Sequence, residues 1–202
     1  MSDTTTTLIK QLGIQRYETE RVSVRRTAVE NTMQGACLEL YAGQGTMRGL
    51  VFEPHFAEYI TVDSDLYAKV MYHISAIKYI REFLPSYSKS IALVDFDAYG
   101  GPHFEIHEFF KVRGDKDRGI VIVITDGLGL MLKRSLKKAR VSERYLVTDA
   151  DNIDMRHCWK HMKEMTYLMM TRLAEKHGMK CIPLAAIPGK GQNFLFSAWK
   201  FV

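Results

Sequence analysis

Glu39-Leu40-Tyr41-Ala42-Gly43-Gln44-Gly45-Thr46 leaves an apolar run that begins at Cys37 and turns sharply toward the next segment. Glycines at such a bend let the backbone pass close to a ligand and expose amide N–H groups, whereas the plain alternative is a structural turn. The spacing is not the dinucleotide G-x-G-x-x-G and no Walker lysine follows. A P-loop is therefore excluded, and a nucleoside-type cofactor without a pyrophosphate remains. Asp63 ends the next apolar run 24 residues after Glu39, close to the ~20-residue offset at which an acidic side chain reaches ribose hydroxyls. A carboxylate there can accept both hydrogens of a diol.

Working outward, residues 37–41, 59–62, 91–94 and 120–124 are short, almost continuously apolar runs, the pattern of strands buried on both faces of a parallel sheet. Helical periodicity lies between them. Leu66, Val70, Ile74, Ile77, Ile80 and Leu84 predict one long helix over 66–84, and a stripe of Trp159, Met162, Met165, Met169 and Leu173 predicts another over about 155–177, stopped by Gly178. Residues 181–187 and 194–201 flank Pro188-Gly189-Lys190-Gly191-Gln192, a turn short enough only for a hairpin. The expected fold class is α/β: a mostly parallel sheet closed by an antiparallel C-terminal hairpin. Between Asp65 and Ile91 there is room for one long helix but hardly for a further strand and helix, so one edge strand is expected to be missing.

A length of 202 residues fits one domain of ordinary size, and 47% hydrophobic with 25% charged residues excludes collagen-like and wholly disordered chains. Residues 35–202 read as that domain, and 1–34 as an N-terminal segment that is partly flexible, frayed at Thr4 to Thr7. The net charge of +5 suits a polyanionic partner without requiring one. Cys37, Cys158 and Cys181 sit at no metal or disulfide spacing, so the expected compartment is the reducing cytoplasm. Neither a signal peptide nor a membrane span is expected.

Asp95-Phe96-Asp97-Ala98-Tyr99-Gly100-Gly101-Pro102 stands at the carboxyl end of a buried run, where open α/β sheets place their ligands. An acidic side chain and an aromatic ring two residues apart suit a flat heterocycle, bonding its edge and stacking on its face. The bland reading is an Asp-capped, Gly-rich turn before a helix near 104–110.

Residues 39–45 resemble the first motif of the Rossmann-like S-adenosylmethionine-dependent methyltransferases, an acidic residue followed by a small-Gly-x-Gly turn, with Tyr41 where many members carry glycine. The resemblance covers about residues 35–202. It implies S-adenosyl-L-methionine as cofactor, with Gly43 and Gly45 beneath the methionine moiety, Asp63 on the ribose, and Glu39, Tyr41, Ala42 and Asp95 completing that site. Residues 95–102 resemble the fourth motif of the tRNA guanine N2-dimethyltransferases, with Ala98 where that core has proline, and Thr125-Asp126 is similar to the Thr-Asp ending the equivalent strand. By this resemblance the protein is an N-methyltransferase acting on an exocyclic amine of a nucleobase in RNA or DNA. Asp97 would localise the amine lone pair and Tyr99 would stack on the base, both catalytic. Gly100, Pro102, His103 and Lys190 would touch substrate. Those tRNA enzymes carry a further C-terminal domain, whereas this chain has the length expected of a bare catalytic core.

His103/His107 and His157/His161 stand four apart, a spacing that can bind metal, but neither pair has an obvious third ligand and no metal is expected. Lys133, Arg134, Lys137, Lys138 and Arg140 form the densest basic cluster, best explained as complementing a helix dipole. Arg16, Arg21, Arg25, Arg26, Arg48 and Lys190 are better placed for phosphates. No cysteine adjoins the Asp97 loop, which counts against cytosine-C5 chemistry. Two other readings stand beside the nucleobase enzyme: a small-molecule methyltransferase, and a catalytically silent methyltransferase-like binding module.

Overall fold

A computed structural model of the chain describes residues 18–98, 100–129, 138–189 and 193–202. The four apolar runs form β1 (Ala36–Leu40), β2 (Tyr59–Asp63), β4 (Ile91–Phe96) and β5 (Val121–Asp126), and the terminal hairpin forms β6 (Cys181–Pro188) and β7 (Leu195–Phe201). With the short β3 (Tyr72–His73) they make one seven-stranded sheet in the order β3-β2-β1-β4-β5-β7-β6. β7 runs antiparallel to both β5 and β6, and the other pairings are parallel. The carboxyl ends of β1, β2, β4 and β5 therefore share one rim.

Alternate residues of each central strand feed opposite cores, which is why those strands read as unbroken apolar runs. Cys37, Leu93, Val121 and Val123 pack with Val22, Val24 and Ala28 of α1 (Glu18–Glu30). Leu38, Val94, Ile122 and Ile124 pack on the other face with Ile106, Phe109 and Phe110 of α3 (His103–Arg113) and with Met169, Met170 and Leu173 of α5 (Met162–Lys176). A third cluster joins Leu128 and Leu195 to α4 (Lys138–Tyr145) through Val141 and Tyr145, and to Met162 and Met165.

Two expected helices are shorter than their periodicity. Helical structure between β2 and β4 starts only at α2 (Ala76–Lys78), continues through Tyr79–Phe83 and ends in a tight turn at Leu84–Ser86. Residues upstream are held otherwise by polar side chains: Asp65 accepts from Tyr67 N, Thr61 Oγ1 accepts from Met71 N, and Ser75 caps the helix by accepting from Lys78 N. Such local bonds compete with helix formation, and the edge strand expected to be missing is therefore present: β3, only two residues long, lies beside Val62 and Asp63 in the space they leave. Likewise α5 begins at Met162, because Met155–His161 forms 3₁₀ turns kinked at His157 (φ −125°, ψ 34°). Its end is as expected: Gly178 takes φ +65°, and Met179 N donates back to Ala174 O.

Met169 is fully buried between sheet and helices. Met169→Ala should lower unfolding free energy by about 2–5 kcal/mol, seen as a fall in urea midpoint at unchanged slope.

Candidate active site

Beyond β1 the chain turns at Tyr41, whose φ of +66° lies in the left-handed region that favours glycine. Its hydroxyl donates to Glu105 Oε1 of α3 at 2.8 Å. The loop is then closed by its own backbone: Tyr41 N and Ala42 N donate to Val62 O, and Gly45 N donates to Ala42 O. Asp63 Oδ2 accepts from Gly43 N at 2.9 Å while its Oδ1 accepts from Asp65 N. Gly43 (φ +53°) and Gly45 (φ +75°) face open space, since a Cβ on either would meet nothing within 4 Å. This is a backbone cradle with room against it, and Asp63 keeps lone pairs beyond those its loop uses.

The second loop leaves β4 beside the first, and Asp97 N donates to Leu40 O at 3.3 Å. Asp95 is fully buried. Arg25 of α1, equally buried, grips it with Nε to Oδ2 at 2.6 Å and Nη2 to Oδ1 at 2.8 Å, and also donates to Thr125 Oγ1 at 3.2 Å. The same Nη2 lies 3.1 Å from Asp97 Oδ1, and Arg21, one turn earlier on α1, donates to Asp97 Oδ2. Burial alone would raise the Asp97 carboxyl, but Arg25 and Arg21 together hold it below its ordinary value. Arg25, expected among the phosphate-contacting residues, is instead a core ion pair with no exposed surface.

Glu39 sits across from Asp95 in the β1–β4 register and is buried, with Tyr59 OH donating to its Oε2. Burial and the neighbouring Asp95 push Glu39 up to about 8, and burial pushes Asp95 up to about 6. Glu39 is thus the acid that carries a proton at neutral pH.

The far side of the Asp97 loop is sealed by α3. His103 is buried, with Nε2 3.1 Å from Asp126 Oδ2 and its ring edge-on to Tyr145 at 4.3 Å. Asp126 also accepts from Tyr145 OH at 2.6 Å and from Leu128 N at 3.0 Å. Burial is again opposed: His103 and these donors hold Asp126 below its ordinary value. Gly101 (φ +81°) closes over this group, and a Cβ there would come within 2.7 Å of Leu128 Cγ and 2.8 Å of His103 Cε1. Gly100 is exposed, and Pro102 O accepts from Ile106 N at the start of α3. Tyr99, Lys190, Arg16, Lys133, Arg134 and Lys137 lie outside the described residues. Arg48 pairs with Glu53 and lies over the Tyr59 ring. His157 and His161 face Asp154 and Glu164, and no group of three or more metal-ligating side chains occurs among the described residues.

The loops at the carboxyl rim thus gather Tyr41, Ala42, Gly43, Gly45, Asp63, Asp97 and Gly100, with Glu39, Asp95 and His103 buried beneath them. An open groove of about 850 Å³ lined by Val29, Met33, Gly35, Phe56, Glu58 and Lys89 lies at the opposite rim, by the amino ends of β1, β2 and β4. Sequence reasoning missed the structural work of Arg21, Arg25 and Gly101. No local signal in residues 18–30 separates the buried Arg25 from the exposed Arg26 beside it.

No protein-family model and no curated protein matches the sequence. Solved structures do match the fold. Trm1 from Pyrococcus horikoshii, solved with S-adenosyl-L-methionine, superposes over 92% of this chain with a TM-score of 0.65 at 15% identity. The chain spans 55% of that protein. The N-methyltransferase NodS from Bradyrhizobium japonicum WM9, in complex with S-adenosyl-L-homocysteine, matches 95% of this chain and 90% of its own (TM-score 0.52, 9% identity). A SAM-dependent methyltransferase from Archaeoglobus fulgidus matches 96% and 98% (TM-score 0.51, 14% identity). The chain has a Rossmann-like methyltransferase fold. Within that methyltransferase fold, the glycine loop and the Asp97 loop occupy adjacent places on the carboxyl rim of the sheet.

The buried acids make this methyltransferase fold sensitive to pH. Glu39 binds its proton more tightly in the folded chain than at its ordinary value of 4.5. Between there and about pH 8 the folded state holds more protons than the unfolded, so stability falls as pH rises through that window. Asp97 and Asp126 act in the opposite sense, below their ordinary 3.8. Glu39→Gln should flatten the decline in melting temperature between pH 5 and pH 8, measured by thermal unfolding.

Proposed function

We propose that the protein is an S-adenosylmethionine-dependent N-methyltransferase acting on an exocyclic amine of a nucleobase in RNA or DNA. The observation that carries this reading is Asp97: a carboxylate kept ionised by two arginines, at the carboxyl rim, in backbone contact with the end of β1 beside an open glycine cradle. The resemblance of residues 95–102 to the fourth motif of tRNA guanine N2-dimethyltransferases supports it, and the fold match to Trm1, solved with S-adenosyl-L-methionine, supports the cofactor.

The residues present fit the cofactor. Gly43 and Gly45 leave backbone accessible, and Asp63 ends β2 with acceptor capacity toward a diol. When bound, S-adenosylmethionine supplies an electrophilic methyl group on a sulfonium. The chain's own part begins with the amine, whose lone pair is delocalised into the ring and so is poorly nucleophilic. Asp97 accepts the amine hydrogens, which draws the lone pair onto nitrogen and fixes its direction. Its two oxygens offer about four acceptor sites, so the arginine contacts do not exhaust them. A carboxylate with a lowered pKa takes these hydrogen bonds without taking the proton, and the nitrogen, acidic once methyl transfer is under way, loses its proton to solvent. Tyr99 is the stacking partner in this reading, and Gly100 and Pro102 shape the loop on either side of Gly101.

Radiolabelled methyl from the cofactor should enter RNA or DNA in preference to a small-metabolite pool, and label confined to the metabolites would overturn the nucleobase assignment. Binding to the nucleic acid should weaken steeply with salt, as phosphate contacts require. Asp97→Ala should bind cofactor in titration calorimetry and lose methyl transfer. Asp63→Ala should lose about 1.5–3 kcal/mol of cofactor affinity through a missing charged hydrogen bond.

A further inference from the structure

The two arginines that α1 sends to the acidic loop are not equivalent. Arg25 is completely buried and holds Asp95 by two donors, Thr125 by another, and Asp97 at 3.1 Å. Withdrawing it would leave Asp95 as an uncompensated buried charge, which is strongly unfavourable. Arg21 donates to Asp97, its side chain is 24% exposed, and it stands at the rim end of α1, where the Asp97 side chain is itself 9% exposed. If Arg21 leaves, Asp97 keeps Arg25 at 3.1 Å. One arginine is a fixture of the core; the other can be exchanged at the mouth of the site.

What could draw Arg21 away must offer it an equal or better partner. A carboxylate held by a guanidinium is replaced at little cost by another oxyanion, and phosphate oxygens accept from the same fork of donors. Every nucleotide flanking a target base carries such a group, whereas a free base or nucleoside does not. Resting on the proposed role of Asp97 as acceptor of the substrate amine, we infer that Arg21 is the phosphate-receiving residue of the substrate site, exchanging Asp97 for a backbone phosphate as the nucleic acid binds. When the base arrives on a phosphate chain, the exchange thereby frees a further site on Asp97 Oδ2 for the amine. Arg21 is then a specificity-determining residue that favours nucleic acid over nucleosides of the same base, and the ion pair is the resting state of a competition between an internal and an external anion.

The test is a binding cycle without cofactor, using a short mixed-sequence single-stranded RNA as probe and titration calorimetry on wild type, Arg21→Ala, Asp97→Asn and the double variant. Removing the internal competitor should tighten RNA binding by about ten-fold in Asp97→Asn, an equilibrium shift of about 1.4 kcal/mol. Arg21→Ala should weaken binding, and the double variant should show none of the Asp97→Asn gain. An unchanged affinity in Asp97→Asn overturns the exchange. So does a gain of the same size with Arg21 absent, because that would be simple relief of repulsion between a carboxylate and phosphate. In the activity arm, Arg21→Ala should narrow the preference for oligonucleotide over nucleoside, read as a smaller ratio of kcat/KM values. The two proposals fail separately: intact coupling with no methyl incorporated into any pool sinks the enzyme reading alone, and methylation of nucleic acid with no coupling sinks the exchange alone.

Discussion

A guanidinium with no exposed surface holds the acidic rim of this sheet together. Glu39, Asp95 and Asp97 come from adjacent strands β1 and β4 and the loop after β4, so strand pairing alone brings three carboxyls into one region that water does not reach freely. Such an arrangement is unfavourable unless charge is compensated or protons are taken up. Both happen here. Arg25 compensates Asp95 and part of Asp97, while Glu39, pushed up to about 8, keeps its proton and is bonded by Tyr59. The docking of α1 is accordingly a condition of the rim and not an addition to it, and the apolar contacts of Val22, Val24 and Ala28 hold the helix at the depth the ion pair needs.

The opposite side of the same loop is braced by different chemistry. Asp126, at the end of β5, collects Tyr145 from α4 and Leu128 N, with His103 of α3 close by, and Gly101 fits over the group with no space for a side chain. The loop that carries Asp97 is therefore clamped between α1 and α3, and its backbone is tied to Leu40 at the root of the glycine loop. The cradle itself is stiffened by Asp63 rather than by packing, which leaves the glycine faces clear. A rim built in this way holds a carboxylate and an open backbone surface side by side.

Strand positions were legible because burial on both faces leaves an unmistakable mark: residues 91–94 and 120–124 carry no polar side chain and became β4 and β5. The terminal hairpin followed from the shortness of its turn. Residues 66–84 misled because apolar spacing measures only which side a residue would face in a helix, and not whether Asp65, Thr61 and Ser75 will claim the backbone first. The kink at His157 was hidden for a similar reason, since the Met stripe continues through it.

The sequence by itself determined six of the sheet's seven strands, its antiparallel close, and the two loops at its carboxyl rim, because those depend on local periodicity and on where glycine and aspartate interrupt it. Only the tertiary structure decided which charges meet. Arg25 and Asp95 are seventy positions apart, and nothing local distinguishes an arginine destined for solvent from one that will be drawn into the core. Likewise Asp97 reads in sequence as a free acceptor and stands in the fold as half of an ion pair with Arg21. Desolvation and Coulomb attraction act through space, so the partner that sets a buried charge's state is fixed by the packing of distant elements.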